Sequence, residues 1–239
     1  MEVLDIFLDS LKYPFSDIPG LFAVGILFTL SIFFVMVFQY NLDNILVSII
    51  GLIFAVIISF ILYGYCLTVI KNAIYRFNVI PHFSFFNNFI NGIKMVVINI
   101  IYFFIPATLT IFFGVLTLES ITQGLNAVFE FGSLTFIISI VLFVIFGFFE
   151  IIAAARFALN DRFLDALNIK AVAYDAYKIG FIKIFSFLIA ITCFIIVAMF
   201  ATSLIKYIPV FGILISSFIF GAFILLFISR SIGLLYSQL

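Results

Sequence analysis

Long apolar runs broken by short polar clusters dominate this chain, and six of the runs have the length of a membrane span. A helix needs about 20 mostly apolar residues to cross about 30 Å of hydrocarbon. The runs lie near 19–38, 45–70, 95–118, 134–155, 181–204 and 208–229. Their limits are polar or helix-breaking residues: Pro19-Gly20, Gln39, Asp43-Asn44, Lys71, Arg156, Pro209 and Arg230. Backbone groups cannot stay unpaired in lipid, so each run predicts a helix. Pro106, inside the third, predicts a kink there.

Three further segments carry a helical period with one polar face. Glu2, Asp5, Asp9 and Lys12 oppose Leu4, Phe7, Leu8 and Leu11. Ser84, Asn87, Asn88, Asn91 and Lys94 oppose Phe85, Phe86, Phe89, Ile90 and Ile93. Asp161, Asp165, Asn168 and Asp175 lie broadly opposite Phe163, Leu167, Ala171 and Tyr174. Each predicts an amphipathic helix lying in the interface, with an extension of the neighbouring span or a loop as the alternative. The fold expected is an all-α polytopic bundle of six spans and about three interfacial helices, forming a single transmembrane domain over 1–239. An amphipathic segment followed by a helical hairpin recurs at about 4–76, 84–157 and 163–236. That suggests a threefold repeat, with Arg76, Arg156 and Arg230 near equivalent ends.

Composition narrows the class. Of 239 residues 67% are apolar and 9% charged, against about 25% charged in an ordinary soluble domain. Such a chain cannot cover a soluble surface. Its 11 basic and 11 acidic residues cancel, which argues against nucleic acid as a partner. Phenylalanine accounts for 37 positions, a bias that fits any position needing only to be apolar. No secretory signal is visible, since Glu2, Asp5 and Asp9 follow Met1, so the first span is expected to remain.

Charge also orients the chain. With six spans, Lys12, Lys71, Arg76, Lys94, Arg156, Arg162, Lys170, Lys178, Lys183 and Arg230 share the side of the termini, leaving only Lys206 opposite. The positive-inside rule then puts both termini in the cytoplasm, in a multi-pass protein of the cell membrane. The amphipathic segments share that side, where basic residues near headgroups suit anionic lipid, although setting topology explains them as well. The longest outer connection, about 119–133, is a candidate re-entrant or interfacial turn.

Little of the chain suggests chemistry. Glu150 lies about five residues inside the end of the fourth span. A carboxylate at mid-bilayer costs about 2.5–3.5 kcal/mol, and less at this depth. It is read either as a protonatable group or ligand contact in a polar cavity, or as the partner of Lys71, Arg76, Arg156 or Arg230. The second reading is preferred, and these five residues are the candidate ligand or ion-pair site. Arg156 and Arg230 could equally snorkel to headgroup phosphates. His82 stands alone without a carboxylate or cysteine cluster, so a surface role is expected. Asn99 is expected to bond across to another helix. Gly114, Gly147, Gly212 and Gly221 and the run Ala153-Ala154-Ala155 suit close helix approach. Cys66 and Cys193 lie in apolar runs and are expected to be free. No catalytic, metal-binding or cofactor-binding residue can be nominated.

A resemblance adds to this. It is carried by Leu11-Lys12-Tyr13-Pro14-Phe15-Ser16-Asp17, Tyr63-Gly64-Tyr65, Ile70-Lys71-Asn72, Phe89-Ile90-Asn91-Gly92-Ile93-Lys94, Ile101-Tyr102, Ile105-Pro106, Ala155-Arg156-Phe157-Ala158, Asp161-Arg162-Phe163 and Leu234-Leu235-Tyr236. Through these the chain resembles an integral membrane family of unknown function, domain-of-unknown-function family 4013, found mainly in archaea. It is more distantly similar to the membrane domain of some bacterial glycerophosphodiester phosphodiesterases. The resemblance implies a stand-alone membrane protein and supplies no catalytic residues. The function expected is therefore a non-enzymatic, lipid-interacting or membrane-organising module. A small-molecule or lipid transporter is the alternative, and an enzyme acting on lipid headgroups a distant third. Membrane lipid is the expected partner, and a homo-oligomer or another membrane protein stays open.

Overall fold

The computed structural model describes residues 1–119, 125–205 and 211–239, with side chains given outside 116–131 and 211. The elements are α1 (Val3–Lys12), α2 (Ile18–Tyr40), α3 (Ile45–Ile74), α4 (Phe85–Glu119), α5 (Leu125–Asn160), α6 (Phe163–Leu167), α7 (Ile169–Ile179), α8 (Phe181–Ile205), α9 (Phe211–Ser216) and α10 (Ala222–Tyr236). A single π turn, Ser217–Gly221, joins α9 to α10 in one rod. Among the described residues, six rods are long and apolar enough to cross a membrane. The chain is a multi-pass, all-α membrane bundle.

Short polar side chains start the helices. Asp17 Oδ1 accepts from the Gly20 N–H at 3.2 Å to open α2, and Asn44 and Asn168 serve α3 and α7 in the same way. The helices α3 and α5 stop at residues in the left-handed region, Arg76 (φ 59°) and Asp161 (φ 55°). The first amphipathic segment is α1, and the third is α6 and α7, separated at Asn168. The second takes the alternative form, an extension of the neighbouring span. Residues 85–94 continue without a break into the third span as α4, because no residue between them interrupts the helical period. The helix also runs on through Pro106. The connection expected at 119–133 is shorter than its apolar pattern implied: α5 already begins at Leu125, and residues 120–124 lie outside the described residues. Lys206 and Pro209 lie outside them too.

Packing is concentrated at the end that holds both termini. Ile6, Ile70, Ile98, Ile152, Val172, Ile184, Phe227 and Leu235 form one buried cluster there, around the fully packed Ala153-Ala154-Ala155. Toward the other end, Phe104, Ile111, Phe136, Ile140, Val197 and Phe200 are exposed. A broad apolar surface of this kind belongs in hydrocarbon. The closest approach is between α3 and α4. A Cβ on Gly92 would lie 1.8 Å from the Phe60 carbonyl oxygen. The expected close contacts at Gly114 and Gly147 are not made: Gly114 faces open space, and Gly147 meets only the Phe103 ring at ordinary distance. Gly221 does pack tightly, against the Phe28 ring.

Candidate functional site

Three aspartates collect three cations at the packed end, and each cation lies near the C-terminal end of a long helix. Lys71 of α3 pairs with Asp161, just past α5. Arg156 of α5 donates from Nη1 to Asp175 Oδ2 of α7 at 2.5 Å. Arg230 of α10 donates from Nε to Asp9 Oδ1 of α1 at 3.0 Å. Of the five residues nominated from sequence, Lys71, Arg156 and Arg230 thus sit in three separate pairs. Arg76 is exposed at the end of α3, with no ion pair among the described residues. Glu150 has neither an ion pair nor a hydrogen bond among the described residues, so the pairing expected for it is not formed.

Arg230 is 1% exposed and fully engaged. Its Nη1 donates to the Phe77 carbonyl at 2.5 Å and its Nη2 to Asn78 Oδ1 at 2.6 Å. Its guanidinium also lies 4.8 Å from the centroid of the Tyr13 ring. Burial pushes the Tyr13 phenol up to about 12, with the Arg230 charge acting in the opposite direction. Tyr13 and Tyr65 donate to the carbonyls of Val79 and Pro81, so the α3–α4 connection is pinned from beneath. Asp175 accepts a second bond from Tyr236 at 2.7 Å, joining α5, α7 and α10.

Between the ends of α3 and α5 and the start of α4 lies a polar cavity of about 230 Å³. Thr68 and the Lys71–Asp161 pair form one side. His82, Ser84, Asn87, Asn88 and Asn91 form the other, and Leu67, Phe157 and Ala158 the apolar wall. Asn88 is 2% exposed. Its Oδ1 accepts from Thr68 Oγ1 at 3.3 Å, and its Nδ2 has no partner. Glu150 does not line this cavity. Asn99, expected to bond across helices, keeps its buried Oδ1 unpaired.

Two apolar cavities adjoin the amphipathic helices, and another, of about 390 Å³, lies between α2, α3 and α10. One of about 580 Å³ lies between α1 and α8, lined by Leu4, Phe7, Phe194 and Val197. Another, of about 440 Å³, lies beside α6 and α7 against α4 and α5, lined by Ile101, Ile105, Phe149 and Ile169. The polar stripe of residues 84–94 was visible in sequence. That it faces Lys71 and Asp161 across a cavity was not, because the partners come from distant helices. Cys66 and Cys193 are both free.

The model of one family, described as "Protein of unknown function (DUF4013)", matches residues 46–206. That stretch contains every residue lining the polar cavity. No curated protein and no solved structure matches the chain.

Proposed function

The chain belongs to this family, and from that premise we propose that it is a membrane module that holds and organises lipid at one leaflet. The observation that carries this reading is the division of its cavities. The described polar cavity and all three ion pairs of the described residues lie at the level where spans end, which is headgroup depth. Beneath the amphipathic α1 and α6–α7 the cavities are lined by apolar side chains and suit acyl chains. Exposed Leu4, Leu8, Leu164, Ile169 and Tyr174 let these helices lie in the interface. The cation bias supports a cytoplasmic side of the cell membrane for this leaflet and both termini.

Native mass spectrometry of the purified full chain tests the reading. Lipid retained after detergent exchange, and lost when Leu4 and Phe7 or Ile105 and Ile169 are changed to serine, supports it. A chain that emerges free of lipid in every detergent refutes it. Flux of a solute across proteoliposomes would instead favour a transporter.

A further inference from the structure

The polar cavity carries hydrogen-bonding capacity that its own residues leave unused. Asn88 is almost wholly buried, yet its Nδ2 has no partner. Asn87 and Asn91 add two more amides, each with two donors and an acceptor, and Ser84 adds a hydroxyl. The lysine of the lining is already neutralised by Asp161. A phosphate, which only accepts, would face that carboxylate and leave the amide oxygens unmatched. A hydroxyl group both donates and accepts, so a polyol matches the amides and Asp161 together. Phe157 and Leu67 supply a wall for the carbon face of a ring. At about 230 Å³ the space is below the roughly 300–1,000 Å³ of pockets for drug-sized ligands, so it takes one ring. His82, Ser84 and Asn87 are exposed at its mouth.

We infer that the cavity bounded by Lys71, Asn88, Asn91 and Asp161 binds a neutral polyhydroxylated group, a sugar or cyclic polyol. It is carried on a lipid headgroup or free in solution. Only the lipid source rests on the function proposed above.

The test uses the full chain in phosphatidylcholine nanodiscs. One arm adds monogalactosyl diacylglycerol or chain-matched phosphatidic acid and reads retention by native mass spectrometry. The other adds methyl galactoside, myo-inositol or inorganic phosphate and reads the melting midpoint. The galactolipid is expected to be retained at least tenfold over phosphatidic acid. Asn87→Ala and Asn91→Ala, checked for unchanged helicity and melting, should each erase that preference. A free polyol that raises the midpoint while the galactolipid is not retained keeps the polyol site and removes the lipid reading. Preference for phosphatidic acid or phosphate, indifference to both asparagine changes, or no response to any polyol probe overturns the inference.

Discussion

Gly64 of α3 lies so close to the backbone of Asn88 on α4 that a Cβ built there would stand 1.7 Å from the Asn88 carbonyl oxygen. Backbone cannot rotate aside as a side chain can, so the two helices would have to separate. Gly64→Ala is expected to cost about 3 kcal/mol or more, the upper end of overpacking. Gly114→Ala, at open space, should stay within about 0.5 kcal/mol. Unfolding in graded SDS compares the two, and equal effects would contradict the crossing.

Arg230 is a single side chain that holds several segments. A lysine cannot reach Asp9, the Phe77 carbonyl and Asn78 together. Arg230→Met should cost about 1.5–3 kcal/mol, the range for losing hydrogen bonds made by a charged group, and Arg230→Lys should recover only part of this. Asp9→Asn leaves Arg230 its bonds to the Phe77 carbonyl and Asn78 and keeps an oxygen acceptor for Nε, on a side chain that is 40% exposed, so it should cost less. Melting of the three variants checks the order, and a neutral Arg230→Met would show the cluster to be incidental.

Much of this architecture was legible in the sequence, for a physical reason. Lipid demands long apolar helices, so the six rods follow from run length alone, and α1 and α7 from their period. Residues 84–94 show the limit. Amphipathic period and span have the same helical repeat, and with no breaker at Lys94-Met95 nothing marks where one becomes the other. The ion pairs were hidden because Lys71 and Asp161 are 90 positions apart, and Arg230 and Asp9 are 221 apart. Close approach follows backbone geometry, not glycine count, which is why Gly64 and Gly92 matter and Gly114 does not.

Glu150 lacks an ion pair among the described residues, so its charge gains nothing from the cations once assigned to it. Glu150→Gln keeps the shape and is expected to leave the melting midpoint unchanged or raise it, by up to about 2 kcal/mol of stability at this depth. Lipid retention should be unaffected. A marked loss of stability would mean that the carboxylate is bonded.

Ten of the eleven cations lie on one side of the six-span arrangement. In a background lacking Cys66 and Cys193, cysteines placed at Lys12 and Lys170 should resist impermeant maleimide in intact cells and react after lysis. Labelling from outside would invert the orientation.

The clasp between Asp9 and Arg230 sets a schedule for biosynthesis. A nascent chain grows by roughly 5–20 residues per second, so the N-terminal segment emerges many seconds before its partner exists. Until then Asp9 has no counter-charge from α10, and Phe7 of α1 lacks the Phe227 ring it packs against. Arrival of α10 seats α1, so emergence of that rod and closure of the packed end become one event.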